Sequence, residues 1–133
     1  MATIRKSLLV DSPVERVWDA FRDVGQVHAR LAPGFVTACR LEGGARVVTF
    51  ANGLVATELI VDLDDEARRL AYSARSERLV HHHATFQVFD HGPDRTRIVW
   101  TADVLPHEAS RVVEPMMEEG CRAMKRTLES TVR

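Results

Sequence analysis

The sequence predicts an α+β protein in which a seven-stranded antiparallel sheet curves around one long C-terminal helix, with two short helices after the first strand. Three observations support this fold class. Apolar residues alternate with a period of two in seven short segments, they recur at helical spacing near the start and at the end of the chain, and six consecutive strands are separated by breaks of hairpin length. Such a sheet has one concave face, which the long helix must cover.

The first strand and the helix after it are clearly marked at the start of the chain. Residues 3–10 alternate as a strand. Ser12 is expected to cap the following helix, Pro13 suits its first position, and Glu15 completes a capping box with Ser12. A second short helix is expected over residues 24–31. One stripe of the first helix is apolar and should pack inward: Val14, Val17, Trp18 and Phe21.

Six strands and their turns make up the middle of the chain. The predicted strands cover residues 35–41, 45–51, 54–62, 69–75, 80–89 and 96–104. Asn52-Gly53 is the strongest turn signal among them, because both residues tolerate a positive φ in a tight turn. Six short strands joined in this way form an antiparallel meander.

The last helix is predicted over residues 107–132 and should face the sheet with an apolar stripe. Pro115 removes a backbone hydrogen bond, so we expect a kink or a fresh helix start near it. The stripe contains a glycine and three methionines, which would form a deformable wall, so a cavity and a filled core both remain open as interpretations. The stripe consists of Val113, Met116, Met117, Gly120, Cys121, Met124 and Leu128.

Composition argues against several classes of function. A chain of 133 residues suits one domain over residues 1–133, and its 18 basic residues nearly balance 19 acidic ones, so no net field favours nucleic acid. The apolar run at the N-terminus is too short for a signal peptide, and no segment approaches the ~20 apolar residues of a membrane span. No dinucleotide fingerprint or phosphate loop is present. We expect a cytoplasmic protein without cofactor, with Cys39 and Cys121 as reduced thiols.

The order of the elements and several local strings resemble the START/Bet v 1-like superfamily, particularly its polyketide cyclase-like branch. The most specific part runs from Asn52-Gly53 to Tyr72 and contains a hairpin, a strand with Glu58, the acidic turn 62–66 and Arg69-Leu70-Ala71-Tyr72. A later match comprises the strand Arg97-Ile98-Val99-Trp100-Thr101 and the turn Leu105-Pro106.

The resemblance implies a helix-grip fold with a hydrophobic pocket between the sheet and the C-terminal helix. Members of the superfamily bind lipids, hormones or polyketides, and some catalyse cyclisation or dehydration inside the pocket. The loops after the third and fifth strands often gate the entrance of such pockets. In this chain those loops are expected at residues 51–54 and 75–79.

Glu58 is the residue on which the functional interpretation depends. Strict alternation places Val55, Leu59 and Val61 on one face of its strand and Glu58 on the other. Local hydrophobicity alone would turn Glu58 towards water, whereas the resemblance implies that it lines the pocket, and we adopt the second interpretation. A carboxylate in an apolar pocket is costly unless it is paired or protonated, which suits acid–base chemistry or hydrogen bonding to a ligand. The other face then becomes an exposed apolar strip, for which we hypothesise a homodimer contact.

Three consecutive histidines suggest a metal site, but strand geometry argues against one. His81 and His83 share one face and His82 takes the other, so the three cannot converge on one ion. His82 shares its face with Phe86 and should point inward. It is expected either as a core histidine or as a polar contact near Glu58 that could move protons.

Two further positions follow from the resemblance. His28 stands where many relatives place a tryptophan or histidine near the cavity mouth, and a surface histidine is the alternative. Plant hormone receptors of the superfamily hold the carboxylate of their ligand with a lysine on the second strand. The matching position here is Thr37, which leaves Lys6 and Arg40 as candidate substitutes. Binding of an acidic hormone by that mechanism is therefore not expected.

The leading hypothesis is binding of a hydrophobic or aromatic small molecule, lipid-, polyketide- or hormone-like, in a cavity between the sheet and the C-terminal helix. Glu58, His82 and His28 would orient it. One alternative is a polyketide cyclase or aromatase–dehydratase in which Glu58 and His82 act as acid and base. Another is an interaction module with a filled core. The expected cavity walls are Phe35, Phe50, Ile60, Tyr72, Phe86, Trp100, Met117, Gly120 and Met124.

Overall fold

The computed structural model describes residues 2–77 and 79–130 and confirms the predicted α+β fold. Within that part of the chain, seven strands form one antiparallel sheet in the order β1-β7-β6-β5-β4-β3-β2. Strands β2 to β7 form a meander, and β1 pairs with β7 as the edge strand at the other end of the sheet. The strands are β1 Ala2–Val10, β2 Val36–Glu42, β3 Ala45–Phe50, β4 Val55–Asp64, β5 Arg69–Arg75, β6 His81–Asp90 and β7 Thr96–Leu105.

The helices also lie where the pattern predicts them. Helix α1 covers Val14–Arg22, a π-helical turn covers Val27–Leu31, and the long helix α2 covers Ser110–Ser130. A 3₁₀ turn at His107–Ala109 precedes α2. The predicted end of the last helix, at residues 131–132, lies outside the described residues. The buried side of α2 matches the predicted stripe at most positions, because its buried residues are Val113, Met117, Gly120, Ala123, Met124 and Leu128.

The predicted capping box at the start of α1 does not form. Pro13 occupies the capping position, and its carbonyl accepts hydrogen bonds from the backbone N–H groups of Arg16 and Val17 at 3.1 Å each. Ser12 is fully buried instead, and its Oγ finds no partner among the described residues. Its carbonyl accepts a 2.7 Å hydrogen bond from the Thr96 hydroxyl. The contact with β7 thus draws Ser12 into the core and away from the helix end.

The turn at Asn52-Gly53 is a hairpin of a longer type than the sequence suggests. The backbone N–H of Phe50 donates to the Leu54 carbonyl at 2.8 Å, so three residues form the loop. Gly53 alone of the pair adopts a positive φ, at 90°. The Asn52 side chain accepts a 3.0 Å hydrogen bond from the Leu54 N–H. This loop length sets the register in which Arg46 on β3 lies opposite Glu58 on β4.

Helix α2 runs through Pro115 as one element, so of the kink or fresh start expected there, the fresh start does not occur. Ion pairs and close packing both hold the helix on the sheet. Lys6 on β1 donates to Glu118 at 3.0 Å and to Glu114 at 3.4 Å. Gly120 lets the helix approach closely, because a Cβ built there would lie 3.0 Å from both the Phe35 and the Trp100 ring.

Helix α1 is tied to the turn between β4 and β5 through Asp65. The Trp18 Nε1 and the Arg22 Nε each donate to its carboxylate at 2.8 Å, and a second Arg22 nitrogen reaches it at 3.2 Å. The hydrogen bond from Arg22, followed by that from Trp18, lowers the pKa of Asp65. The acidic turn that forms part of the family resemblance therefore binds α1 through Asp65.

Candidate functional site

A cavity of about 320 Å³ lies between the concave face of the sheet and α2. It is mainly apolar, and α2 contributes Val113, Met117, Gly120 and Met124 to its wall. Its size and lining are typical of a small-molecule site. Eight of the nine predicted wall residues line it: Phe35, Phe50, Tyr72, Phe86, Trp100, Met117, Gly120 and Met124.

Two predicted residues lie elsewhere. Ile60 does not line the cavity, because the cavity occupies the end of β4 next to the β3–β4 loop, where the inward-facing Ala56 and Glu58 border it. Ile60 lies further along β4, just before a shift in register. His28 is also absent from the lining, whereas Val27 and Leu31 of the same π-helical turn border the cavity. Hydrophobic alternation locates a face, but it does not show where along a strand a cavity ends.

Glu58 points into the cavity and is paired with an arginine that the sequence analysis did not select. Its carboxylate Oε1 accepts a 2.8 Å hydrogen bond from the Nε of Arg46. Both residues are buried, Arg46 with 3% and Glu58 with 7% of its surface exposed. Arg46 also donates through Nη1 to the Val24 carbonyl at 3.3 Å. The cavity thus contains an ion pair rather than a lone carboxylate.

A signal for Arg46 exists in the sequence. Arg46 alternates with Val48 and Phe50, which are apolar and line the same cavity. A charged residue in the inward-facing series of one strand calls for a countercharge, and Glu58 occupies the inward-facing series of the next. The pairing was missed because each strand was interpreted by itself.

Tyr72 links the ion pair to the aromatic wall. The Arg46 guanidinium lies 5.3 Å from the centre of the Tyr72 ring, within the range of a cation–π contact. The Tyr72 hydroxyl accepts a 3.1 Å hydrogen bond from the Trp100 Nε1. Burial, reinforced by the negative charge of Glu58, raises the pKa of Tyr72 well above its usual value. The phenol therefore keeps its proton and remains a hydrogen-bond donor at the cavity wall.

His82 lines the cavity, as its position on β6 predicts. Burial, with smaller contributions from the neighbouring His81 and His83, lowers its pKa to about 4. Its imidazole is neutral at neutral pH, and its ring centre lies 6.3 Å from that of Tyr72. The Nδ1 atom is buried and has no hydrogen-bond partner in residues 2–77 and 79–130.

Glu58 and His82 lie on either side of Ala74, on the face of the sheet that lines the cavity. Glu58 pairs across the sheet with Ala74, and the register that pairs Ser73 with His83 places His82 on the far side of Ala74. Two strand spacings separate their backbones, which is about 10 Å. The small Ala74 side chain leaves room between them. One ligand lying over Ala74 can therefore meet Glu58 and His82 at opposite ends.

Both loops expected near the entrance contribute to the cavity. Leu54 comes from the β3–β4 loop, and Ser76 and Leu79 come from the β5–β6 connection. Glu108 and Val112 border it from the start of α2 and the turn before it. That these loops open and close remains a prediction.

The candidate substitutes for a second-strand lysine do not reach the cavity. Lys6 binds the acidic residues of α2, and Arg40 forms an exposed 3.1 Å ion pair with Glu42. Thr37 is exposed as well. The cation of the site is instead Arg46 on β3. Among the described residues, no group of three or more histidine, cysteine or acidic side chains has the arrangement of a metal site.

Comparison with known families identifies the chain. A family model described as polyketide cyclase / dehydrase and lipid transport matches residues 1–129. The chain belongs to this family. No curated protein matches the sequence. Membership in the polyketide cyclase / dehydrase and lipid transport family agrees with the superfamily that the sequence resembles.

Several solved structures share the fold of this chain. XoxI from Bacillus cereus has a TM-score of 0.87 at 17% identity, with 100% of this chain and 99% of that chain covered. A START superfamily protein from Mycobacterium smegmatis has a TM-score of 0.81 at 13% identity over 97% and 98% of the two chains. Norcoclaurine synthase from Thalictrum flavum, in complex with dopamine and hydroxybenzaldehyde, has a TM-score of 0.75 at 20% identity over 98% and 86%.

Family and fold together fit a protein that binds a hydrophobic ligand or resembles a polyketide cyclase. In the described part of the chain, no helix has the length and apolar character needed to cross a bilayer.

Proposed function

We propose that the protein binds a hydrophobic or aromatic small molecule in the cavity between the sheet and α2. The observation that carries this proposal is the apolar cavity of about 320 Å³ with the buried Arg46–Glu58 pair in its wall. An open apolar space stabilises no fold by itself, because its lining atoms lack contact partners. A ligand of matching shape would supply them.

The volume favours a ligand larger than one aromatic ring. An apolar cavity of about 150 Å³ accepts benzene, so a space of roughly twice that size suits a molecule with two fused rings. The walls offer ring faces, since Phe86 and Trp100 stack with their centres 4.6 Å apart and Phe35 and Phe50 lie 5.2 Å apart. The fold itself accommodates small aromatic molecules, as the norcoclaurine synthase complex shows for that protein.

The polar groups of the cavity would orient the ligand. The Arg46–Glu58 pair lies on one side of Ala74, and the neutral His82 lies on the other. Few polar groups within an apolar lining are typical of small-molecule sites, where they provide specificity. Loss of the Glu58 or His82 side chain should therefore weaken binding.

Filling the gap over Ala74 tests the proposal. We expect naphthol, a two-ring phenol, to form a complex of one ligand per chain in native mass spectrometry. Ala74→Phe should abolish it, because the new ring takes the ligand's place. Arg75→Phe is the matched control, since Arg75 is the neighbouring residue and is exposed. No complex with the wild type, or equal binding by Ala74→Phe, would overturn the proposal.

A polyketide cyclase or aromatase–dehydratase is the second candidate function. It is favoured by the placement of a carboxylate and a neutral imidazole on opposite sides of Ala74, together with the family's description. In such a reaction a base takes a proton from a carbon next to a ketone, the carbon attacks a second carbonyl, and water leaves. A polyketone substrate should then lose the mass of water in the presence of wild type but not of Glu58→Gln. An unchanged substrate mass with the wild type would leave ligand binding as the function.

An interaction module with a filled core fits the structure less well. That alternative requires α2 and the sheet to pack without a ligand-sized space, whereas the described residues enclose one. The homodimer hypothesis is separate, because it depends on the outer face of the sheet.

A further inference from the structure

We infer that the cavity selects an uncharged head group that both donates and accepts a hydrogen bond, such as the hydroxyl of a phenol or an enol, over a carboxylate or an ammonium ion. This inference rests on the proposed function and names the ligand class for the same site. It depends on two features of the Arg46–Glu58 pair: its charge balance and the atoms that it leaves unused.

The charge of the cavity floor is already balanced. The Arg46 Nε and the Glu58 Oε1 form an ion pair of 2.8 Å, and both side chains are almost fully buried. His82 adds no charge at neutral pH, and Tyr72 keeps its proton. A ligand that brought its own charge would leave one charge without a partner in an apolar space, which is costly. An anion would approach Arg46 only by also approaching Glu58, and a cation would face the reverse conflict.

The unused atoms of the pair form one donor next to one acceptor. Arg46 uses Nε towards Glu58 and Nη1 towards the Val24 carbonyl, while Glu58 uses Oε1. Arg46 Nη2 and Glu58 Oε2 make no hydrogen bond to the described residues, and neither atom is fully buried. They are therefore open to the cavity that both residues line. A hydroxyl can accept from Nη2 and donate to Oε2 at once, whereas a carboxylate cannot donate and an ammonium cannot accept.

Four probes with the same ring system separate these cases: naphthol, naphthoate, naphthylmethylammonium and methylnaphthalene, all substituted at the same ring carbon. Affinity is measured by calorimetry or ring fluorescence with the wild-type chain at neutral pH. We expect naphthol to bind at least about tenfold more tightly than either charged probe. Methylnaphthalene should bind more weakly than naphthol but more tightly than the two ions.

Two variants should change the charge preference of the cavity, one in favour of the anionic probe and the other in favour of the cationic probe. Glu58→Gln leaves Arg46 without its countercharge, so naphthoate should gain about tenfold or more relative to naphthol. Arg46→Met leaves the carboxylate alone, so naphthylmethylammonium should gain instead. Glu66→Gln and Arg40→Met are the matched controls, because both residues are exposed and neither lines the cavity. Removal of one member of a buried ion pair destabilises a fold, so a variant can fail to fold. The four probes with the wild-type chain test the inference even in that case.

The outcomes separate this inference from the proposed function. If methylnaphthalene and naphthol bind but naphthoate or naphthylmethylammonium binds as tightly as naphthol, the inference is wrong and the proposed function stands. If none of the four probes binds, both are wrong. Tight binding of naphthol with weak binding of both ions supports both.

Discussion

Arg46 and Glu58 form an ion pair whose two side chains are both almost fully buried, which is costly for a protein interior. Removal of one partner of a buried ion pair typically costs about 3–5 kcal/mol, whereas replacement of both partners by apolar side chains is often neutral or stabilising. Stability alone therefore gives little reason for a charged pair in the wall of an apolar cavity. Contact with a polar group of a ligand gives such a reason.

The burial of His82 should make the free energy of unfolding depend on pH. Its pKa falls from 6.5 in the unfolded chain to about 4 in the folded protein, mainly because of burial. Between these values the unfolded chain binds more protons, so the contribution of neutral His82 is complete above pH 6.5 and is lost as the pH falls towards 4. The loss should be of the order of 2–3 kcal/mol.

Denaturant unfolding across this pH range measures the effect. His82→Leu should remove the additional acid sensitivity, whereas His107→Gln, at an exposed histidine, should keep it. The interpretation of His82 as a buried neutral histidine would be wrong if the wild type and His82→Leu lost stability in parallel.

Helix α2 owes its close approach to the sheet to Gly120. Replacement by alanine would gain helix propensity of up to about 1 kcal/mol. The new Cβ would, however, lie 3.0 Å from the Phe35 and Trp100 rings, and such crowding typically costs about 1–3 kcal/mol. Both rings border the cavity, so they can yield by moving into it.

Gly120→Ala should therefore change ligand affinity more than stability. We expect naphthol to bind at least several-fold more weakly, while the free energy of unfolding changes by less than about 2 kcal/mol. Calorimetric titration and denaturant unfolding measure the two quantities. Arg122→Ala, at an exposed position two residues along the helix, is the control. Unchanged affinity together with a large loss of stability would show that Gly120 serves packing alone.

The elements of this fold could be predicted well, but their registers could not. Alternation along single strands placed Tyr72, His82, Phe86 and Trp100 on the inner face, where all four line the cavity. The partner of Glu58 was missed because it depends on the length of one turn. With a two-residue loop at Asn52-Gly53, Arg46 would lie opposite Leu59, whereas the three-residue loop sets it opposite Glu58.

Other differences arise from tertiary contacts that no local pattern contains. The capping box does not form because Pro13 takes the capping position, while Ser12 is buried and its carbonyl accepts a hydrogen bond from Thr96, far away in the sequence. Ile60 shares the inner face with Glu58, yet the cavity ends before it. A strand pattern therefore predicts the direction of a side chain, whereas its partners require the assembled sheet.

At the scale of the whole molecule, the inward direction of Glu58 leaves an apolar strip on the outer face of β4. Val55, Leu59 and Val61 form this β4 strip, with exposed fractions of 54%, 48% and 54%. Exposed apolar surface favours contact with another apolar surface. Three side chains cover much less than the ~800 Å² per partner of a stable interface. The homodimer hypothesis thus takes the form of weak self-association.

Light scattering over a range of concentrations tests this prediction. The apparent mass should rise above the 14.9 kDa of one chain at high concentration. Leu59→Lys should suppress the rise, whereas Val80→Lys, which changes an exposed valine outside the β4 strip, should not. A constant mass of one chain at every concentration would count against the homodimer.

The most direct test of the central claim is a crystal structure of the protein with naphthol. We expect electron density for the two rings inside the cavity, over Ala74, with the hydroxyl oxygen within hydrogen-bond distance of Arg46 and Glu58. Rings bound only on the outer face of the sheet, or an empty cavity closed by its own side chains at saturating naphthol, would contradict it.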